Sequence, residues 1–168
     1  MSSFNRRFFM LSAAALGGTS LSGCGFEPVY GTDGAASMLL NNVLVDEPKA
    51  NESYVLVREL ENRLGQPGGA PEYGLSLALH LDERGVGRTS AQVTNRFDVI
   101  GSVTYALRGM DNKEVRTTGK VSSFTSYSAS GSTVSELAAK DDAYERLMVI
   151  LADRIVVDLQ AYAASETA

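Results

Sequence analysis

Tyr73, Leu75, Leu77, Leu79 and Leu81 alternate with Gly74, Ser76, Ala78, His80 and Asp82, a period of two sustained over ten residues. Successive side chains of a strand point to opposite faces, so this run predicts a strand with one apolar and one wet face. The pattern then recurs. After a turn expected in "DERGVGR" at 82–88, Val93, Phe97, Val99, Val103, Tyr105 and Leu107 share one parity through 89–108, and Gly101 inside this run suggests a bulge or bend. "GMDNKE" makes a further turn, and 115–129 alternates more weakly through Val121, Thr125 and Tyr127. Three consecutive antiparallel strands joined by hairpins follow, needing an apolar layer on one side only.

Two helical stretches supply that layer. From Asn51 onward, Leu56, Val57, Leu60 and Leu64 recur at helical spacing, while Arg58, Glu59, Glu61, Asn62 and Arg63 fill the other face. Gly65 suits the position just past a helix end, and Pro67 cannot continue it. A longer helix closes the chain, with Leu137, Tyr144, Leu147, Leu151, Ile155, Leu159 and Tyr162 on its apolar stripe and Ser132 or Thr133 able to cap its start. The β-branched "NVLVDEP" within 39–48 adds a short strand bounded by a proline. The order β, α, β, β, β, α predicts an α+β two-layer sandwich: a mostly antiparallel sheet of about four strands with two helices on one face, one domain over 39–164.

The N-terminal region carries a different signal. Arg6 and Arg7 precede an apolar run over 8–21 interrupted only by Ser12, Thr19 and Ser20, which reads as a secretory signal peptide over 1–23 and is too short to span as a stable helix. It ends in Leu21, Ser22, Gly23 and Cys24, which resembles the lipobox of bacterial lipoproteins, in which the cysteine sulfur carries lipid. Cys24 is the single cysteine of the chain and the expected lipid-attachment site. Two or more acyl chains hold a protein stably on a membrane where one is marginal. "RRFF" at 6–9 loosely resembles a twin-arginine signal, but the ordinary secretory route is the simpler expectation. An aspartate after the cysteine would favour inner-membrane retention; Gly25 stands there and points to the outer membrane. Residues 24–38, rich in Gly, Ala, Ser and Thr, read as the lipidated start and a tether.

Charge and residue counts exclude several classes. The chain holds 15 basic and 20 acidic residues; losing Arg6 and Arg7 with the signal leaves a formal net of about −7, which argues against nucleic acid as a partner. One cysteine and one histidine allow neither an intramolecular disulfide nor a Cys/His metal site, and no cofactor motif is present. "GVGR" at 85–88 lacks the spacing of a dinucleotide or phosphate-binding loop, and no G-x-S-x-G elbow occurs. His80, inside the Leu-rich strand, reads as a structural residue rather than a base. A tethered periplasmic hydrolase would require a nucleophile and base that the sequence does not offer. The even-numbered face carries Arg96, Asp98, Ser102, Thr104, Arg108, Arg116, Lys120 and Ser122, with Ile100 and Phe124 among them. It is either an ordinary wet face or a contact surface for a water-filled cavity wall or an anionic amphiphile.

"CGFEPVYG" at 24–31, with the closing "AYERLMVILADRIVVDLQAY" at 143–162, resembles the lipopolysaccharide-assembly lipoprotein family LptE in its alphaproteobacterial form. The specific positions are Cys24, Gly25, Phe26, Pro28, Tyr30 and Gly31, and Ala143, Arg146, Leu151, Ala152, Ile155 and Leu159. The resemblance implies a non-catalytic lipoprotein on the periplasmic face of the outer membrane of a diderm bacterium. It would plug and help assemble an LptD-like β-barrel and bind lipopolysaccharide. It further implies lipid contact through basic residues at strand ends and loops. Arg84, Arg88, Arg108, Lys113, Arg116 and Lys120 lie near the expected turns, and Arg108, Lys113, Arg116 and Lys120 are the candidate lipopolysaccharide-binding residues. An auxiliary lipoprotein of an ABC-type phospholipid or solvent transport system is the alternative of similar size and layout.

Overall fold

The computed structural model describes residues 34–88, 94–129 and 132–166. The alternating runs become β2 (Tyr73–Arg88), β3 (Thr94–Gly109) and β4 (Val115–Ser128), preceded by β1 (Val43–Val45) and α1 (Asn51–Leu64) and followed by α2 (Thr133–Glu166). A short 3-10 turn, Ala35–Met38, comes first. The sheet order is β1-β2-β3-β4, with β1 parallel to β2 and the other pairs antiparallel. A parallel neighbour needs a crossover, and α1 provides it. The α+β two-layer expectation holds, with four strands and both helices on one side. Ala36 is fully buried, so packing begins before residue 39.

Two local expectations are corrected. The turn expected at 82–88 is strand: Asp82, Glu83 and Arg84 pair with Ile100, Val99 and Asp98, and register slips only around Gly85 and Gly87. The long partner strand supplies ladder bonds that outweigh local turn propensity. Gly101 marks neither bulge nor bend, for it pairs in register with Leu81 and Ser123. Its function is clearance: a Cβ there would lie 3.0 Å from both Leu147 Cδ2 and Leu151 Cδ1 and 3.3 Å from Leu81 Cδ2. The glycine lets α2 lie close on the sheet.

Odd-numbered strand residues and the helix stripes form a continuous core. Leu75, Val99, Val103 and Leu107 from the sheet meet Leu147, Leu151, Ile155 and Leu159 of α2 and Leu56, Leu60 and Leu64 of α1, all with essentially no exposure. Fully burying each such side chain stabilises by about 1.5–3 kcal/mol before chain entropy is counted. Leu137 is 59% exposed and does not belong to the buried stripe, which starts at Ala143. Ser132 rather than Thr133 caps α2, its Oγ accepting from the Ser135 N–H at 3.3 Å. Gly65 ends α1 at a φ of 77°.

Polar contacts tie the layers where the apolar stripe runs out. Arg63 joins Glu59 to Asp153 at 2.7 Å each, and Arg58 reaches Glu145 at 3.2 Å, linking α1 to α2. Several of these groups are well exposed, so each pair contributes about 0–1 kcal/mol. Near the far end of β2, Glu83 accepts from Tyr127 Oη at 3.0 Å and Tyr144 Oη at 3.1 Å and pairs with Lys140 at 2.9 Å. Phe97 stacks on Tyr127 at 5.3 Å beneath this cluster. Burial pushes the Glu83 carboxyl up, but the three donors outweigh it and hold it below the usual carboxylate range. Burial, then the bond to Glu83, pushes the Tyr127 phenol up to about 12. Tyr105 is likewise pushed up to about 12 by burial and its 3.0 Å bond to Asp158. Its ring lies over Gly119, its cross-strand partner, where a Cβ would come within 2.5 Å of the ring carbon Cζ.

The edges of the sheet are treated unequally. On β4, Arg154 donates to the Ser122 carbonyl and Arg146 to the Ser126 carbonyl at 3.4 Å, so helix α2 covers open acceptors of that edge. On the other side β1 covers only Tyr73–Leu75 of β2.

Two outcomes are expected. Gly101→Val should lower the unfolding free energy by about 1–3 kcal/mol through overpacking against α2, measured as a lower urea midpoint with an unchanged slope. Glu83 has a depressed folded pKa, so its stabilisation is present above the unfolded value and lost as pH falls through the folded one. Tyr105 and Tyr127 have raised pKa values, so theirs is present below about 10 and lost on rising toward about 12. Urea titrations across pH should show both declines, with Glu83→Gln flattening the acid limb.

Candidate functional site

Among the described residues no helix lies against the even-numbered face of the sheet. Strand register sets its rows: Gly74, Arg108 and Val115; Ser76, Ala106 and Thr118; Ala78, Thr104 and Lys120; His80, Ser102 and Ser122. Beyond these come Asp82, Ile100 and Phe124, then Arg84, Asp98 and Ser126. Apart from Lys120 and His80, the middle rows carry small or hydroxylated side chains, so much of the face is low in relief and rich in hydrogen-bonding groups. Phe124 is the apolar exception, 63% exposed beside Ile100. Leu44, beside Gly74 in the register, and Val115 add exposed apolar surface toward the β1 end.

Charges concentrate at the two ends. At one end Arg84 pairs with Asp82 at 2.7 Å, and Asp98 accepts from Ser126 Oγ at 2.8 Å. At the other, Arg108 reaches Asp46 at 3.3 Å, a contact between β3 and the residue after β1 that the sequence alone did not indicate. Ser76 Oγ is shielded nearby on the same face and has no hydrogen-bond partner among the described residues. Arg84 and Arg88 belong to the opposite end of the long β2–β3 ladder from the β3–β4 turn, so the six cations do not form one patch.

The four candidate lipid-contact residues are only partly brought together. Arg108, Lys113 and Arg116 all lie near the β3–β4 turn, where Lys113 has a φ of 56° and Asn112 holds the turn through bonds to Glu114 at 3.0 and 3.1 Å. Arg116 leaves the outer face. A register slip beside Arg108 puts Val115 opposite it, and Arg116 Nε comes within 3.5 Å of the helix-side Cβ position of Gly109. A bulge inserts one residue and breaks the alternation on which the parity expectation for Arg116 rested. Its guanidinium is 3.8 Å from Glu114. Lys120 lies further along β4, opposite Thr104, and borders a shallow cleft with Asp153, Arg154 and Asp158. Among the described residues Lys113 and Lys120 have no salt bridge.

His80 is exposed on this face, with Ser102 opposite, and no described residue hydrogen-bonds to its imidazole, so the hydrogen-bonded side-chain role expected for it is not seen. Among the described residues no group of three or more His, Cys, Asp or Glu side chains is placed to hold a metal ion. Among them, too, no helix is long and apolar enough to cross a membrane, the 34 residues of α2 included. Cys24 and most of the tether lie outside the described residues.

The chain is similar in fold to several solved lipoprotein structures. A protein of Caulobacter crescentus CB15, assigned as a lipoprotein, aligns with a TM-score of 0.66 at 24% identity, covering 77% of this chain and 96% of the other. Rare lipoprotein B from Shewanella oneidensis aligns at 0.54 and 15%, covering 75% and 95%. A minor lipoprotein from Acinetobacter baumannii aligns at 0.53 and 14%, covering 71% and 88%. At such identities these likenesses speak for the fold. No curated protein sequence matches the chain. The family model LptE, described as lipopolysaccharide-assembly, matches residues 41–159, from the turn before β1 to the last buried leucine of α2. The chain therefore belongs to the LptE lipopolysaccharide-assembly family.

Proposed function

We propose that this protein is a lipid-anchored, non-catalytic component of lipopolysaccharide export, held by Cys24 at the periplasmic face of the outer membrane. In this reading it occupies the lumen of an LptD-like β-barrel, assists that barrel's assembly and contacts lipopolysaccharide in transit. The observation that carries the reading is the helix-free sheet face, low in relief and lined by Ser, Thr and Ala, with cations at its ends. A barrel lumen is polar and water-filled, and a flat hydroxylated surface can exchange water-mediated hydrogen bonds with it. Lipid A phosphates are anionic, and among the described residues Lys113 and Lys120 have no ionic partner to give up before pairing with them. Arg108 and Arg116 would have to leave Asp46 and Glu114, exposed pairs whose loss costs about 1 kcal/mol or less.

Purification of the lipidated chain from its own outer membrane in mild detergent should recover a large β-barrel in equal amount, identified by mass spectrometry. Recovery of ABC-transporter components instead would reject the reading. The combined variant Arg108→Glu, Lys113→Glu, Arg116→Glu and Lys120→Glu should weaken lipopolysaccharide binding in vitro by about tenfold or more and raise outer-membrane permeability, with most of the loss reproduced by Lys113→Glu and Lys120→Glu alone. Unchanged binding and permeability in the quadruple variant would remove these residues from the site. Cys24→Ala should release the chain from the membrane fraction.

A further inference from the structure

β2 is longer than the strand beside it. β1 runs alongside Tyr73–Leu75, and the last bond of that ladder is from the Asp46 N–H to the Leu75 carbonyl at 2.9 Å. The chain then turns at Pro48 into α1. Tyr73 donates to Asn42 and Leu75 accepts from Asp46, so odd-numbered β2 residues aim their backbone groups toward this side. By the same alternation the N–H and C=O groups of Leu77, Leu79 and Leu81 face the position β1 has vacated. No hydrogen bond from the described residues reaches them there.

A groove of about 360 Å³ occupies that position. Leu77, Leu79 and Leu81 form one wall, Leu56 and Val57 of α1 the floor, and the 46–53 segment the other wall. α1 packs chiefly on α2 and β1, which leaves the β2 leucines half-buried while Tyr105 and Val103, the β3 partners of Leu77 and Leu79, are buried. The devices that blunt sheet edges are missing over this stretch. It has no proline and no bulge, and the first inward-facing charge is Glu83. The register irregularity at Gly85–Gly87 and the α2 arginines Arg146 and Arg154, which bond to β4 carbonyls, guard other open stretches. The rim is acidic, with Asp46, Glu47 and Glu52 against Lys49.

We propose that this edge is a strand-addition site for an extended segment of a partner protein that carries apolar residues at alternate positions and Lys or Arg at its ends. Main-chain bonds to Leu77, Leu79 and Leu81 would give affinity, and alternate apolar side chains entering the groove would complete the burial of the three leucines. The acidic rim selects basic flanks over acidic ones. The chain's own segment at 25–33 has Glu27 and Asp33 and no Lys or Arg, so it lacks the complementary charge. The site lies on the edge of the sheet, apart from the bare face, and does not depend on the export reading.

The test uses the full chain in mild detergent and a dye-labelled peptide of alternating Val and Thr with Arg at both ends. Saturable binding by anisotropy is expected, weakened about tenfold or more when the ends are Glu or when alternate peptide amides are N-methylated. Amide exchange at Leu77, Leu79 and Leu81 should slow about tenfold on binding. Glu47→Lys with Glu52→Lys, both outside the core, should reverse the preference for basic ends. Binding that ignores N-methylation, or that leaves those three amides exchanging as before, overturns the proposal. So does slow exchange in the peptide-free chain that is lost on deleting 25–33, or that rises with protein concentration, since the occupant would then be the chain itself or a second copy.

Discussion

The contact between α2 and the odd-numbered face of the sheet organises this protein. A 34-residue helix of mixed polarity has no reason to persist alone, since most helical stability in proteins comes from packing of an apolar face. Here Leu147, Leu151, Ile155 and Leu159 find Val99, Val103 and Leu107 across a sheet made approachable by Gly101. The same apposition brings Thr125 Oγ1 to the Ala143 carbonyl at 2.8 Å, and Tyr105 over Gly119 to Asp158. Each polar bond depends on the apolar fit beside it, because a shift of the helix by an ångström would break it.

Burial on one side explains the chemistry of the other. Both helices are committed to the odd face, so among the described residues no helix covers the even face, and its solubility there comes from its own side chains. Ser, Thr and Ala in the middle rows achieve this with low relief, while Arg84–Asp82 and Arg108–Asp46 neutralise charge at the ends. A surface of this kind meets a polar wall or a hydrated headgroup without the desolvation penalty a densely charged face would incur. Membership of a lipopolysaccharide-assembly family and a bare hydroxylated sheet therefore point the same way.

Glu83 shows how the far half of the sheet is held where the core thins. Lys140, Tyr127 and Tyr144 converge on one carboxylate from a strand and a helix. Half-buried charge of this kind is stabilising only when its lone pairs are well occupied, and three donors satisfy that condition.

Local patterning determined much of this protein before any fold was known. The period-two runs at 73–81 and 97–107, the helical spacing of Leu56, Leu60 and Leu64, and the family-like positions in the closing helix all depend on residues close in sequence. They lead directly to an α+β sandwich and its family. Other features arise only when distant segments meet. The ladder with β3 turned the glycine-rich 82–88 segment into strand, and a one-residue bulge moved Arg116 off the face its parity predicted. Asp46 became the partner of Arg108 across 62 residues, and the shortness of β1 left the edge of β2 open. Pairing register, edge exposure and long-range ion pairs depend on which strands become neighbours and how far each extends, and these are settled only by packing in three dimensions.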